Sequence, residues 1–320
     1  MIKIKNPTPE QLSKAASWLK AGCLVAFPTE TVYGIGADAS NENAVSRIYS
    51  VKGRPSNHPL IIHISSYKQV EKWARDIPDY AIKLAKEFWP GPLTLILKRN
   101  KLAKNFVTGG QDNVGLRVPN HLIALMLAKE SEKFGIDGIA APSANRFGAV
   151  SPTSAEAVEE ELGKYLDEKD LIFDGGQSLI GVESTIVDCL GENPVVLRPG
   201  AVSMNMIGAI TGLSPSLKPK DSQIRASGLL NSHYSPKAKV ILNNTPKPGE
   251  GFLALAKVPT PKGAVRLASP STVVEFCHVL YATLRFADQI GINVISVKLP
   301  EAGGLGDAII DRLNRAKSNY

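Results

Sequence analysis

Residues 52–64, KGRPSNHPLIIHI, crowd two cations, two prolines and two histidines onto the entry of a β-branched run. The run IIHI suits a buried strand, and a buried strand needs no such preamble. Pro55 and Pro59 stiffen the backbone around Lys52, Arg54, His58 and His63, which fixes these side chains around rigid turns. Three further polar stretches fall within residues 27–200. FPTETVYGIGADA ends a strand in a polar turn carrying Thr29, Thr31 and Tyr33, followed by flexible glycines. VGLRVPNH sets Arg117 in a β-rich segment, where an unpaired guanidinium is costly to bury. APSANRFGAVSPTS offers Ser143, Asn145 and Ser151 among small residues that let backbone approach a ligand closely. Each stretch alone has an ordinary explanation: capping hydroxyls, surface cations, a satisfied core histidine. Their joint occurrence in one domain suits a nucleotide together with a small carboxylate.

Other chemistries are excluded by what is missing. There is no Walker A pattern, no HExxH, no GxSxG and no paired Cys/His ligand set. GGLGDAII, from Gly303, carries half of a dinucleotide fingerprint, but Ile309 stands where the third glycine belongs, so it reads as a turn entering a helix. Cys23, Cys189 and Cys277 are far apart, which suits reduced core thiols of a cytosolic protein rather than a zinc site. No apolar run reaches the length of a membrane span, and the N-terminus lacks the apolar core of a signal peptide. Residues 1–210 balance 23 basic against 23 acidic residues; residues 211–320 hold 14 basic and 7 acidic, which is the whole net charge of +7. A basic segment of that kind is either solvated or faces a polyanion such as ATP or tRNA.

The elements that must position these residues follow from caps and periodicity. Thr8, Pro9 and Gln11 open a helix that Gly22 ends. Asn41 opens AVSRIYSVK, closed by Gly53, and PDYAIKLAKEF and SAEAVEEEL are also helical. CLVAF, LIIHI, LTLIL, VGLRV, LIF, STIVDCL and PVVLR read as strands, without strict βαβ regularity, so an α/β sheet with flanking helices is expected for residues 1–210. Residues 211–238 hold Pro, Ser, Gly and Lys without a hydrophobic period and read as a long linker. Residues 239–320 return to strands (KVILN, GFLALA, NVISVKL) and helices, one starting at Thr272 and stopping at Gly291, as a small α/β domain.

The series FPTETVYGIGADA, KGRPSNHPLIIHI, WPGPLTLIL, VGLRVPNH, APSANRFGAVSPT, GVESTIVD and VVLRPG resembles the YrdC-like threonylcarbamoyl-AMP synthases in order and spacing. HYSPKAKV resembles the linker of the longer, two-domain form, and LYATLRFAD with GLGDAIIDRL its small C-terminal domain. The resemblance implies a YrdC-like twisted mixed sheet with flanking helices plus a Rossmann-like C-terminal α/β domain. It implies synthesis of threonylcarbamoyl-AMP and pyrophosphate from L-threonine, bicarbonate and ATP with Mg2+, in the cytoplasm, for a downstream tRNA threonylcarbamoyl transferase complex. Direct contact with tRNA is left open.

Carried over by position, Lys52 and Arg54 would be catalytic. Arg54, His58, Asn113, Ser143, Asn145, Ser151, Arg198 and Tyr234 would bind ATP, and Thr31, His63, Arg117, Ala141 and Ser184 would bind threonine. The linker, with His233 and Tyr234, would fold back over the site and shield a labile mixed anhydride from water. The rival reading is a double-stranded RNA or tRNA-binding module without adenylate synthesis, which the charge balance of residues 1–210 does not support. Hydrogenase maturation proteins with a related domain carry zinc-finger cysteines that this chain lacks.

Overall fold

The computed structural model describes residues 1–217, 223–229 and 233–317; the linker cations Lys218 and Lys220 lie outside them. Helix starts follow the capping chemistry. Thr8 and Gln11 form a reciprocal box, with the Thr8 amide donating to Gln11 Oε1 at 2.9 Å, and the helix runs Pro9–Lys20. Asn41 Oδ1 accepts from the Ala44 amide at 3.1 Å and opens helix Glu42–Lys52. Thr272 Oγ1 accepts from the Glu275 amide at 3.1 Å and opens helix Val273–Gln289.

The strands of the first sheet are β1 (Ile2–Lys5), β2 (Val25–Phe27), β3 (Gly34–Asp38), β4 (Ile61–His63), β5 (Leu93–Lys98) and β6 (Asn113–Arg117). They continue with β7 (Ile139–Ala140), β8 (Leu171–Asp174), β9 (Thr185–Asp188), β10 (Val195–Arg198) and β11 (Ser216–Leu217). Among the described residues they join in the order β1-β8-β2-β3-β7-β4-β6-β5-β9-β10-β11, mixing parallel and antiparallel pairs. Parallel pairing of β4 with β6 sets His63 opposite Arg117. The glycines expected to be flexible form β3 instead, a fully buried strand. A Cβ on Gly36 would lie 2.7 Å from side-chain carbons of both Ile139 and Phe27, so the absent side chain serves packing rather than mobility.

The second sheet is wholly parallel, with β12 (Lys239–Leu242), β13 (Gly251–Leu253), β14 (Val265–Ala268) and β15 (Val294–Val297) in the order β12-β15-β13-β14. Helices Val273–Gln289 and Leu305–Lys317 accompany it. The two parts share an apolar seam, since Val32, Val150 and Val182 pack into the same cluster as Phe276, Leu280 and Tyr281. No helix among the described residues is long and apolar enough to cross a membrane. Part of the described linker is packed: Ala226 sits with Ile61, Ile96, Ile186 and Leu197, and the Arg225 guanidinium donates to the carbonyls of Asn57 and Gly109 at 2.8 and 2.9 Å.

Gly181 marks the tightest point of the seam. Its φ of +86° is left-handed, and a Cβ there would stand 2.5 Å from the Cys277 carbonyl oxygen. Gly181→Ala is therefore expected to cost about 1–3 kcal/mol and to push helix Val273–Gln289 away. Limited trypsin digestion should cut within residues 211–238 several-fold faster in the variant; unchanged protection would contradict this packing.

Candidate active site

A narrow cavity opens where β3, β4, β6 and β7 meet the start of β9 and the end of β10. Thr29, Tyr33, His63, Arg117, Ala141, Ser143, Glu183, Ser184 and Arg198 line it, and Ser227 of the linker closes one side. Its volume is about 30 Å³, close to one water's share of liquid.

Arg117, at the end of β6, is held on two sides. Its Nη2 donates to Glu30 Oε1 at 2.7 Å and to Thr31 Oγ1 at 2.9 Å, and its Nε to the Gly91 carbonyl at 3.3 Å. The buried guanidinium thus has a carboxylate partner, Glu30, which sequence reading had not singled out. Nη1 makes none of these bonds. His63 stands beside it on β4, its Nδ1 buried without a partner. Burial, reinforced by the Arg117 charge, pushes its imidazole down to about 3, so it is neutral at physiological pH. Ala141 presents backbone, with its amide donating to the Ile61 carbonyl at 2.9 Å. Ser184 Oγ lies 2.8 Å from Thr94 Oγ1 and accepts from Arg198 Nη2 at 3.2 Å.

The second half of the site is cationic. Lys52, Arg54 and Arg198 are 2, 6 and 2 % exposed, and among the described residues none of them forms an ion pair within 4.0 Å. Lys52 ends its helix and donates to the carbonyls of Ser143 (2.6 Å) and Asn145 (2.5 Å), so its ammonium braces the small-residue loop. Burial, then the neighbouring Arg54 charge, holds it well below an ordinary lysine. Arg54 Nη2 donates to the Pro59 carbonyl at 2.9 Å, while Nε has no partner; burial brings its guanidinium down to about 10. Arg198 Nη1 donates to the Ser227 carbonyl at 2.9 Å and ties β10 to the linker.

Aromatic rings wall this half. The Arg54 guanidinium carbon lies 5.6 Å from the Phe147 ring centre, with His58 and His233 edge-on to the same ring at 5.4 and 6.2 Å. His233 packs on Tyr234 at 4.1 Å. Tyr234 adopts φ +62° and buries its hydroxyl without a partner. Asn145 Oδ1 and His233 Nδ1 are likewise buried and unpartnered. Ser151 Oγ donates to Glu183 Oε1 at 2.6 Å. Asn113 starts β6, four residues before Arg117 on the same strand face, half-buried and outside the cavity lining.

The structure thus brings His63, Arg117, Ala141, Ser143, Ser184 and Arg198 onto one cavity, with Thr31 bonded to Arg117. Lys52, Arg54, His58, Asn145, Ser151 and Tyr234 stand behind or beside it. Sequence reading missed Glu30, Phe147, Glu183, Ser227 and Arg312. The only available signal was an acidic residue inside an apolar or motif-rich stretch, as in GVESTIVD. Among the described residues no group of three His, Cys, Asp or Glu could hold a metal ion. The cavity's Glu183 is already engaged by Ser151, Tyr281 and Arg312, and Glu30 behind Arg117 by that guanidinium and the Asn120 amide.

Comparison with known proteins places this geometry. Residues 17–200 match the family described as "Telomere recombination", and residues 202–318 the threonylcarbamoyl-AMP synthase C-terminal domain. The threonylcarbamoyl-AMP synthase of Pyrococcus abyssi is 43% identical over 94% of this chain and 92% of its own length. That of Schizosaccharomyces pombe is 34% identical over 98% of this chain and 90% of its own. The crystal structure of P. abyssi Sua5 complexed with L-threonine superimposes with a TM-score of 0.88 at 39% identity, covering 99% of this chain and 97% of that one. Escherichia coli YciO, at 23% identity and a TM-score of 0.54 over 64% of this chain and 97% of its own, shares the fold of the first domain. With both halves matched in order along one chain, this protein belongs to the threonylcarbamoyl-AMP synthase family, in its two-domain form.

Proposed function

We propose that the cavity condenses L-threonine, bicarbonate and ATP into L-threonylcarbamoyl-AMP, releasing pyrophosphate and water. The observation that carries this reading is the set of three buried cations, Lys52, Arg54 and Arg198, none of which forms an ion pair within 4.0 Å among the described residues. Burying a charge without a counter-ion is costly, and a nucleotide's phosphates would supply the missing anion. The burial of these cations also argues against the RNA-binding module, because a duplex cannot reach side chains that solvent barely touches.

The amino-acid half fits threonine. Arg117 Nη1 would meet the carboxylate, Thr31 and Ser184 would lie near the side chain, and His63 would orient the amine. A neutral imidazole that far below its ordinary range is a weak base, so His63 positions rather than deprotonates. The neutral amine attacks the carbon of bicarbonate with loss of water, giving a carbamate. A carbamate oxygen then attacks the α-phosphorus and the bond to the β-phosphate breaks, so charge stabilisation and alignment supply the catalysis. Arg54 would hold phosphate oxygens through its unpartnered Nε. Lys52, with two of its three donors spent on carbonyls, would offer the third. Magnesium would be carried by the phosphates of ATP, as is usual where no all-protein cage exists.

His58, Asn113, Ser143, Asn145, Ser151 and Tyr234 would complete the nucleotide side, and Ala141 would offer backbone to threonine. The cavity is far smaller than a nucleotide, so the linker over Ser227 must shift to admit ATP. Residues 1–210 would form the catalytic domain, 211–238 that cover and 239–320 the docked C-terminal domain. The product would pass, in the cytoplasm, to a transferase that modifies tRNA.

Pyrophosphate release should require threonine, bicarbonate and ATP together. Lys52→Ala/Arg54→Ala should lower kcat/KM by about 10³ or more in a chain that remains folded, and retained activity would refute the phosphate role. Arg117→Gln should raise the KM for threonine about 10- to 100-fold while moving that for ATP little; the reverse pattern would contradict the assignment.

Neutral burial also shapes acid stability. Burial holds His63 and His233 at about 3, whereas an unfolded imidazole titrates near 6.5. Their contribution is therefore complete above about pH 6.5 and is lost as pH falls toward 3, on the order of 2 kcal/mol each at pH 5. Glu183, held at about 2, adds its own loss only below the ordinary carboxyl range. Urea titrations at pH 7 and pH 5 should show a steeper stability loss in the wild type than in His63→Gln/His233→Gln; equal slopes would count against this.

A further inference from the structure

Glu183 is a carboxylate in the wrong place for a nucleotide site. It lines the same cavity as Arg198 and Ser143, and an unbalanced negative charge there would repel phosphate oxygens. Its counter-ion comes from the other domain. Arg312, on helix Leu305–Lys317, is 1 % exposed and donates through Nε to Glu183 Oε2 at 2.8 Å. Tyr281, on helix Val273–Gln289, donates to the same oxygen at 2.9 Å, and the second oxygen takes the Ser151 hydroxyl at 2.6 Å. Arg312 Nη2 also reaches the Pro199 carbonyl at 3.1 Å, next to Arg198. The Arg312 guanidinium carbon stands 5.2 Å from the Tyr234 ring centre, and Tyr281 stacks on that ring from 5.8 Å.

We infer that the C-terminal domain takes part in ATP binding through Arg312, a positioning residue that neutralises Glu183 at the cavity wall and backs Tyr234 against the nucleotide side. This rests on the functional reading above. With Arg312 in place, Glu183 is a neutralised acceptor that fixes Ser151, and the cavity's net charge stays positive. Without it, Glu183 keeps only the unpaired Arg198 charge nearby, so more of its negative charge is felt beside the phosphates, and Tyr234 loses the cation behind its ring. Docking of the second domain and readiness of the nucleotide site are then one event. A purely structural staple would lower the melting temperature and disturb both substrates alike, and that difference is measurable.

The test is steady-state pyrophosphate release by the full-length chain, varying ATP and threonine separately, with melting temperatures for each variant. Arg312→Met should raise the KM for ATP about tenfold or more and that for threonine less than about threefold. Adding Glu183→Gln, which removes the charge that needs compensating, should return the ATP KM to within about threefold of wild type. Arg312→Lys, which keeps the charge, should stay within about threefold by itself, and it decides the matter if Arg312→Met does not fold. The inference is overturned if the double variant is no better than Arg312→Met, if both KM values rise together, or if Arg312→Lys already loses tenfold in ATP KM. A wild-type chain that releases no pyrophosphate in response to threonine would instead reject the functional reading beneath it.

Discussion

The buried pair of Glu183 and Arg312 is the constraint on which the rest of this structure depends. A carboxylate removed from water is tolerated only when cations and hydrogen bonds replace the lost hydration. Here the Arg312 and Arg198 charges, with hydroxyls from Ser151 and Tyr281, outweigh burial and hold Glu183 at about 2. Those partners come from the small-residue loop, from β10 and from two helices of the C-terminal domain. One ion pair thus ties the cavity wall to the helix that carries Arg312. The apolar seam of Val32, Val150 and Val182 against Phe276 and Leu280 supplies the non-directional part of that docking.

Against this anchored carboxylate stands an excess of fixed positive charge. Lys52 sits at the C-terminal end of its helix, where the macrodipole favours a cation, and its bonds to the Ser143 and Asn145 carbonyls stabilise it further. Arg54 follows two residues later, beyond the Gly53 cap, and bonds forward to the Pro59 carbonyl, so KGRPSNHP closes on itself as a rigid bracket. The preamble before the strand is thereby accounted for. It carries two cations into the interior at fixed positions, near polar atoms of Asn145, His233 and Tyr234 that have no partner among the described residues. A site preorganised in this way gives up folding stability for binding strength, because the cost of ordering is met before the ligand arrives.

The linker is part of the site wall. Ser227 closes the cavity, Arg198 bonds to its carbonyl, Ala226 fills an apolar patch on the sheet face, and Arg225 reaches the loop at Asn57. At Arg225 the basic character of this segment is used within the protein, by hydrogen bonds to the carbonyls of Asn57 and Gly109.

Local chemistry made much of this legible from the sequence. Thr8, Asn41 and Thr272 announce their helices because a cap needs only residues three or four apart, and the LIIHI and VGLRV strands show in their apolar runs. The seven motifs in series identified the family, and they singled out Arg117, His63 and the Lys52–Arg54 pair. What the sequence could not determine is which distant groups meet. The GIGAD glycines look mobile in isolation and are locked as a strand by Ile139 and Phe27. Glu30 is matched to Arg117 across 87 residues and Glu183 to Arg312 across 129, and no periodicity encodes a pairing of that kind. Such partners are chosen by burial, which makes an uncompensated charge too costly to keep, and burial exists only once the sheet is assembled and the second domain has closed upon it.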